Sequence, residues 1–204
     1  MIIALGHRSG HGKDTFAEIL KSKLPNVYIR SWADAVKEEC VRLYGHLGVQ
    51  DRDFYNTREG RTARNMPIPK LGKNVVEVWI HVGEKLRELY WDTWLDQLHL
   101  YYASLPPNSI LVVPDTRHIN EADSADFTVK IVNPRVPNRV GASIDHILDD
   151  YQFHCTITND GTLEDFTKTA ESFIRELRLE SYTDRSHFSL LNRKNSRRLG
   201  FKVQ

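Results

Sequence analysis

Residues 1–15 read Met1-Ile2-Ile3-Ala4-Leu5-Gly6-His7-Arg8-Ser9-Gly10-His11-Gly12-Lys13-Asp14-Thr15, and everything else is placed from this stretch. Ile2-Ile3-Ala4-Leu5 is a short continuous apolar run closed by Gly6, the pattern of a strand buried on both faces. From Asp14 the period changes to helical: Phe16, Ile19, Leu20 and Leu24 form one stripe, and Pro25-Asn26 ends it. Between them lies a glycine-rich turn. Gly10 and Gly12 permit backbone conformations that a side chain would obstruct, so N–H groups can converge on an anion. The following helix points the positive end of its dipole at the same place.

Working outward, Val27-Tyr28-Ile29, Ile110-Leu111-Val112-Val113, Thr128-Val129-Lys130-Ile131-Val132 and Phe153 to Thr158 read as further strands. Helical spacing recurs over Asp34 to Tyr44, Asn74 to Leu89, about Thr93 to Ser104, and Leu163 to Leu179. Strand and helix alternate, which predicts an α/β fold: a parallel sheet with helices on both faces. One domain over residues 1–180 is expected, with two interruptions. Residues 45–73 break the pattern with four glycines, two prolines and the cations Arg52, Arg58, Arg61, Arg64, Lys70 and Lys73. Residues 134–150 read as a lid-like loop carrying Arg135 and Arg139.

Composition excludes several classes. The 204 residues hold 28 Lys+Arg against 27 Asp+Glu, so no basic footprint of a nucleic-acid-coating protein dominates the chain. No apolar run approaches the roughly 20 residues of a membrane span, and the first residues lack the basic flank of a signal peptide. Cys40 and Cys155 form no CxxC pair, and a reducing cytoplasm, of a cell or of an infected host cell, is the expected compartment. The neutrality is an average. Residues 181–204 carry six Lys/Arg and one acid, a net of +5, while the body carries a net of −4. That basic extension is expected to be solubilising, its few aromatic residues arguing against nucleic-acid binding.

The turn approximates the Walker A motif G-x-x-x-x-G-K-[ST], with the strand before and helix after that give the motif meaning. Arg8, Ser9, Gly10, His11, Gly12, Lys13, Asp14 and Thr15 are therefore the candidate ATP-phosphate contacts. Two positions depart from the motif: His7 stands where the first glycine belongs, and Asp14 where a hydroxyl meets Mg²⁺. A carboxylate is a better ligand for a hard cation, so Asp14 is a candidate metal ligand. Asp115 ends a predicted buried strand on the ligand side of an open sheet and is the second. Arg117 lies within bidentate reach of a phosphate there. Arg135 and Arg139 complete the candidate catalytic set with Lys13, Asp14, Asp115 and Arg117. His7 and His11, four apart, suit phosphate contact or exposure better than zinc.

Three ordered regions, the last of them in two stretches, resemble bacteriophage deoxynucleoside monophosphate kinases. GHRSGHGKDT is similar to their GKDT phosphate loop, Pro114-Asp115-Thr116-Arg117-His118-Ile119-Asn120-Glu121-Ala122 to their D-V-R-F-P-N-E-A strand end. Leu148-Asp149-Asp150-Tyr151-Gln152-Phe153 and Asn159-Asp160-Gly161-Thr162-Leu163-Glu164 are similar to their L-D-D-Y-x-F and N-N-G-T-L-E-E. The resemblance covers residues 1 to about 178. It implies a P-loop three-layer sandwich that uses ATP and Mg²⁺ to phosphorylate a deoxynucleotide, with small-molecule partners and a homodimer left open. It also places an acceptor site. Ser31-Trp32-Ala33-Asp34-Ala35-Val36-Lys37 is similar to a segment bordering that site, with Trp32 set to stack on a base and Arg30 or Lys37 to meet its monophosphate. The same site would draw on Arg61 and Arg64 of the basic loop, and on the helix with Glu84 and Arg87, which also pair at i, i+3 spacing. Ordinary core packing is the competing reading of Trp32. Animal-type phosphomevalonate kinases share the GKD loop and a D-T-R strand end, so a small-molecule phosphate kinase is the second reading. A non-catalytic nucleotide-binding protein is the third.

Overall fold

The run Ile2–Gly6 forms β1, the central strand of a five-stranded sheet. The structure is a computed structural model and describes residues 1–136 and 147–179, so Arg139, most of the 134–150 segment and the 181–204 extension lie outside the described residues. After β1 come α1 (Lys13–Lys23), β2 (Val27–Ile29), α2 (Trp32–Tyr44) and a 3-10 turn at Gly45–Leu47. Then follow α3 (Arg52–Asn56), α4 (Arg58–Ala63), β3 (Pro67–Ile68), β4 (Lys73–Asn74), α5 (Val75–Leu89) and α6 (Thr93–Ala103). The chain closes with β5 (Ile110–Val113), α7 (Ile119–Asp123), β6 (Phe127–Val132), β7 (Cys155–Thr158) and α8 (Leu163–Glu176). These elements form two compact units: Met1–Arg30 with Ser104 onward, and Ser31–Ala103.

In the first unit the sheet order is β2-β5-β1-β6-β7, with every pair parallel. Ile3, Leu5, Val112, Val129, Ile131 and Ile157 face one side and pack with Phe16 and Leu20 of α1 and Phe166 and Phe173 of α8. Phe16 is fully buried, which contributes roughly 2–3 kcal/mol by transfer from water. The other side, Ile2, Ala4, Leu111 and Val113, is buried as well, and α7 lies against β1. Burial on both faces is why these strands read as unbroken apolar runs. The protein is thus α/β, a parallel sheet flanked by helices, consistent with a P-loop NTPase-like three-layer sandwich.

The strand order also locates a crevice. From β1 the chain crosses to β2, beyond β5; from β5 it crosses to β6, on the far side of β1. Connections leaving adjacent strands in opposite directions open a crevice at their carboxyl ends, where ligands of open α/β sheets bind. The two turns at that crevice are residues 7–12 and 114–118.

The second unit has its own core of Cys40, Val49, Tyr55, Ile68, Val75, Val78 and Val82. Residues 45–73, expected to be irregular, contain α3, α4 and the antiparallel pair β3–β4. Helices of five and six residues are too short to display a period; their signal lay in the caps. Asp51 accepts from the Phe54 N–H at 2.8 Å and Thr57 from the Gly60 N–H at 3.0 Å. Among the described residues, no helix is long and apolar enough to cross a membrane.

Candidate functional site

The turn after β1 holds an unusual run of left-handed backbone. Gly10 and Gly12 have φ of 85° and 100°, as glycine allows. His7 has φ 86°. The position where the Walker motif has its first glycine thus keeps the conformation glycine would take, at the cost of strain in a residue with a Cβ. Gly12 is the N-cap of α1 and makes no side-chain cap, whereas Thr162 closes α8 with its side chain. The first N–H groups of a helix, with its positive dipole end, suit an anion.

Lys13 reaches back across the turn. Its ammonium donates to the carbonyls of His7 at 3.0 Å and Arg8 at 2.6 Å. Arg8 extends to Asp149, 2.7 Å from Nη2 to Oδ2, in a pair that is 16% and 32% exposed. Asp14 and Thr15 are exposed at the first turn of α1, Ser9 and Gly10 beside them. His11 is turned inward instead: it is 3% exposed, and its Nδ1 accepts the Asn133 N–H at 2.8 Å. A backbone N–H can only donate, so Nδ1 carries no proton. Burial, then Lys13 and Arg8, hold the His11 imidazole below the usual histidine range. His7 is pushed down to about 4 by burial first, then by Lys130, His11 and Arg8, with Asp149 opposing. The two rings meet edge to face at 4.8 Å. His7 Nδ1 is buried without a hydrogen-bond partner. Phosphate contact through the His11 side chain is therefore replaced by a structural hydrogen bond.

At the second turn, the Thr116 N–H donates to the Leu5 carbonyl at 3.3 Å, carrying the β5–β1 pairing past Asp115. Asp115 thus stands beside the start of the 7–12 turn, half-buried. Glu121, 2% exposed, accepts the N–H groups of Arg117 and His118 at 3.0 and 3.1 Å, and so orders this turn. No group of three or more His, Cys, Asp and Glu side chains suited to a metal occurs among the described residues. Mg²⁺ asks for less: one or two carboxylates, with phosphates and water filling its shell. Asp14 and Asp115 fit that donor set, and the uncapped helix with two left-handed glycines fits a phosphate chain.

The loop after β6 is held to the one after β7. Arg135 Nη2 donates to the Asp160 carbonyl and, at 2.7 Å, to that of Gly161. Arg135 in this position is a latch between two loops.

All the acceptor candidates but Arg30 lie in the second unit. Trp32 is 4% exposed and Asp34 3%. The Asp34 carboxylate accepts the Ser31 N–H at 2.9 Å and the Arg52 guanidinium at 2.6 Å, with Lys37 at 3.6 Å. Trp32 is core packing rather than an open platform for a base, and Asp34 holds the start of α2. Lys37 also faces Trp79: its ammonium lies 5.5 Å, and the Arg64 guanidinium 5.9 Å, from the Trp79 ring centre. Arg64 Nε and Trp79 Nε1 are both buried without a hydrogen-bond partner. In the sequence Trp79 reads only as one apolar position of the helical stretch Asn74 to Leu89. Arg61 and Glu84 are exposed, and Arg87 lies over Trp91 at 5.7 Å. Arg30 follows β2, its N–H donating to Val112 at 3.2 Å.

No protein-family model matches the sequence, and no curated protein matches it. Among solved structures, the crystal structure of TT1252 from Thermus thermophilus is similar at 18% identity over 87% of this chain and 97% of that one, with a TM-score of 0.46. That likeness is too distant to bear on function.

Proposed function

We propose that the protein is an ATP-dependent phosphotransferase of the phosphate-loop kinase kind, moving the γ-phosphoryl of ATP onto a (deoxy)nucleoside monophosphate. The observation that carries this is the start of α1: an uncapped helix preceded by glycines at φ 85° and 100°, with the Lys13 ammonium drawn across the turn. Backbone N–H groups from Ser9 to Thr15 would bind the donor phosphates, and Lys13 would add a point charge. Asp14 and Asp115 would hold Mg²⁺, which when bound neutralises phosphate charge. Asp149 keeps Arg8 oriented at the turn, and Arg117 supplies a further cation. Phosphoryl transfer asks for little covalent chemistry from the protein, so positioning and electrostatics carry the rate.

The second unit would supply the acceptor site. Lys37, paired with Asp34 at 3.6 Å, stands with Arg64 and the Trp79 indole, whose Nε and Nε1 donors are buried and unmet. A phosphate monoester is the complementary group. One observation favours the second reading, an acceptor of the phosphomevalonate type: with Trp32 buried, its proposed base-stacking role has lost its support.

ADP release from Mg-ATP is measured across ribo- and deoxynucleoside monophosphates and phosphomevalonate. At least one acceptor is expected to stimulate release, and Lys13→Ala to abolish it while the protein stays folded. A panel in which no acceptor exceeds the Lys13→Ala background overturns the kinase reading.

A further inference from the structure

The Asn159-Asp160-Gly161-Thr162 turn has no part in the chemistry above, yet it reaches the phosphate turn directly. Asn159 follows β7, and its own N–H donates to Val132, the last residue of β6, at 2.7 Å. That bond fixes the side chain at the carboxyl edge of the sheet. Its amide Nδ2 donates to the His11 carbonyl at 3.1 Å, across 148 residues of chain. A Cβ built on Gly12 would come within 2.6 Å of the same Nδ2. The amide therefore occupies the space that the missing side chain of Gly12 leaves.

A peptide unit is planar and trans, so the C=O of His11 and the N–H of Gly12 point in opposite directions. Holding that carbonyl against Asn159 turns the Gly12 N–H away from Asn159. We infer that Asn159 is a positioning residue that aims the Gly12 N–H at a phosphate of the bound nucleotide. The inference rests on the phosphate-loop reading of this turn. Other contacts hold the same arrangement. The His11 imidazole accepts the Asn133 N–H at 2.8 Å, so the residue on the other side of that carbonyl is anchored too. Arg135 clamps the carbonyls of Asp160 and Gly161, and the Arg135 N–H donates to Asn133 Oδ1 at 3.0 Å. The ends of β6 and β7 thus brace one peptide of the phosphate turn from two directions. Pre-set donors cost no reorganisation when the anion arrives.

The test is calorimetric titration of the full chain with ADP and, separately, with inorganic pyrophosphate. Native protein, Asn159→Ala, Asn159→Asp and Lys13→Ala are compared, with thermal unfolding recorded for each. Asn159→Asp keeps the volume of the side chain but sets an acceptor against the His11 carbonyl; it supplies the measurement if Asn159→Ala does not fold. Both variants are expected to bind ADP and pyrophosphate about tenfold to a hundredfold more weakly. Lowering the pH from about 7 to about 5 protonates a carboxyl crowded by an acceptor and restores a donor. The affinity of Asn159→Asp is then expected to recover towards the native value, which loss of mere packing would not produce. Affinity within twofold of native in the folded variants overturns the inference while a weakened Lys13→Ala leaves the phosphate-loop reading standing. Native protein that binds neither probe overturns both.

Discussion

Helices α1 and α8 lie side by side, Phe16 of the first meeting Phe166 and Phe173 of the second at 5.6 and 5.4 Å, yet they begin in opposite ways. The N-terminus of α8 is closed by its own side chains. Thr162 Oγ1 accepts the Asp165 N–H at 3.2 Å, and the Asp165 carboxylate accepts the Thr162 N–H at 3.0 Å and its hydroxyl at 2.7 Å. Those bonds from Thr162 hold the Asp165 carboxyl below its usual range. The N-terminus of α1 has glycine in the capping position and no such bond. Two helices built on one core differ in how they are capped: a glycine cap forgoes only about a few tenths of a kcal/mol against threonine, and it leaves the first N–H groups without a side-chain acceptor. On the proposed phosphate-loop reading, the difference separates a helix end closed by its own side chains from one left for a ligand.

The largest effect is expected from closing that difference at α1. Gly12→Ala places a Cβ at φ 100° and within 2.6 Å of Asn159 Nδ2. Left-handed backbone costs an alanine roughly 1 kcal/mol, and the displaced amide releases the His11 carbonyl. ADP affinity measured by calorimetry is expected to fall about a hundredfold or more, since several backbone donors move together. A folded Gly12→Ala protein with native affinity would mean that the open end of α1 binds nothing.

How much of this could be read from the sequence follows from where each signal lies. The strands Ile2–Gly6 and Ile110–Val113 were legible because both faces are buried, so every position is apolar. The turn between β1 and α1 was legible because glycines between a buried strand and a helix mark left-handed backbone, as Gly10 and Gly12 have. Asn159 was not, since its partner is far away in the chain and an Asn before Asp-Gly reads as a turn. Asp149 lay inside the segment read as a lid-like loop, where no pattern singles it out. Its pairing with Arg8 depends on how residues 147–150 return to β1. Arg135, read as a cation for the transferred group, proved to bind backbone carbonyls, and spacing gives no hint of that. His7 shows the reverse case. The missing glycine looked like a defect in the motif, but the backbone keeps the left-handed conformation with an imidazole attached.

A smaller and opposite effect is expected at α8. Thr162→Ala removes the oxygen that caps the helix and leaves the phosphate turn untouched. The loss is about 1 kcal/mol, a drop of roughly 2–4 °C in the unfolding midpoint for a chain of this size. ADP affinity should stay at the native value. The pairing of Thr162→Ala with Gly12→Ala thus separates a cap that serves stability from an end that serves binding. Equal losses of affinity in the two variants would erase the contrast between the helices.

The smallest effect is on the pH dependence of stability, and it again belongs to the α1 side. His7 is held down to about 4 in the folded chain, chiefly by burial, and His11 is lowered as well. In the unfolded chain both take up a proton near the ordinary value of about 6.5. Between those values the unfolded state binds more protons, so stability rises with pH. It is fullest above about pH 6.5 and is lost progressively as the pH falls towards the folded value of His7. Partial exposure of His7 moderates the slope. Unfolding midpoints recorded across that window should fall less steeply in His7→Gln, which cannot be protonated, than in the native protein. Parallel slopes would mean that the strained histidine at the head of the phosphate turn titrates as it does in the unfolded chain. The turn would then be open to solvent where the structure has it half-buried.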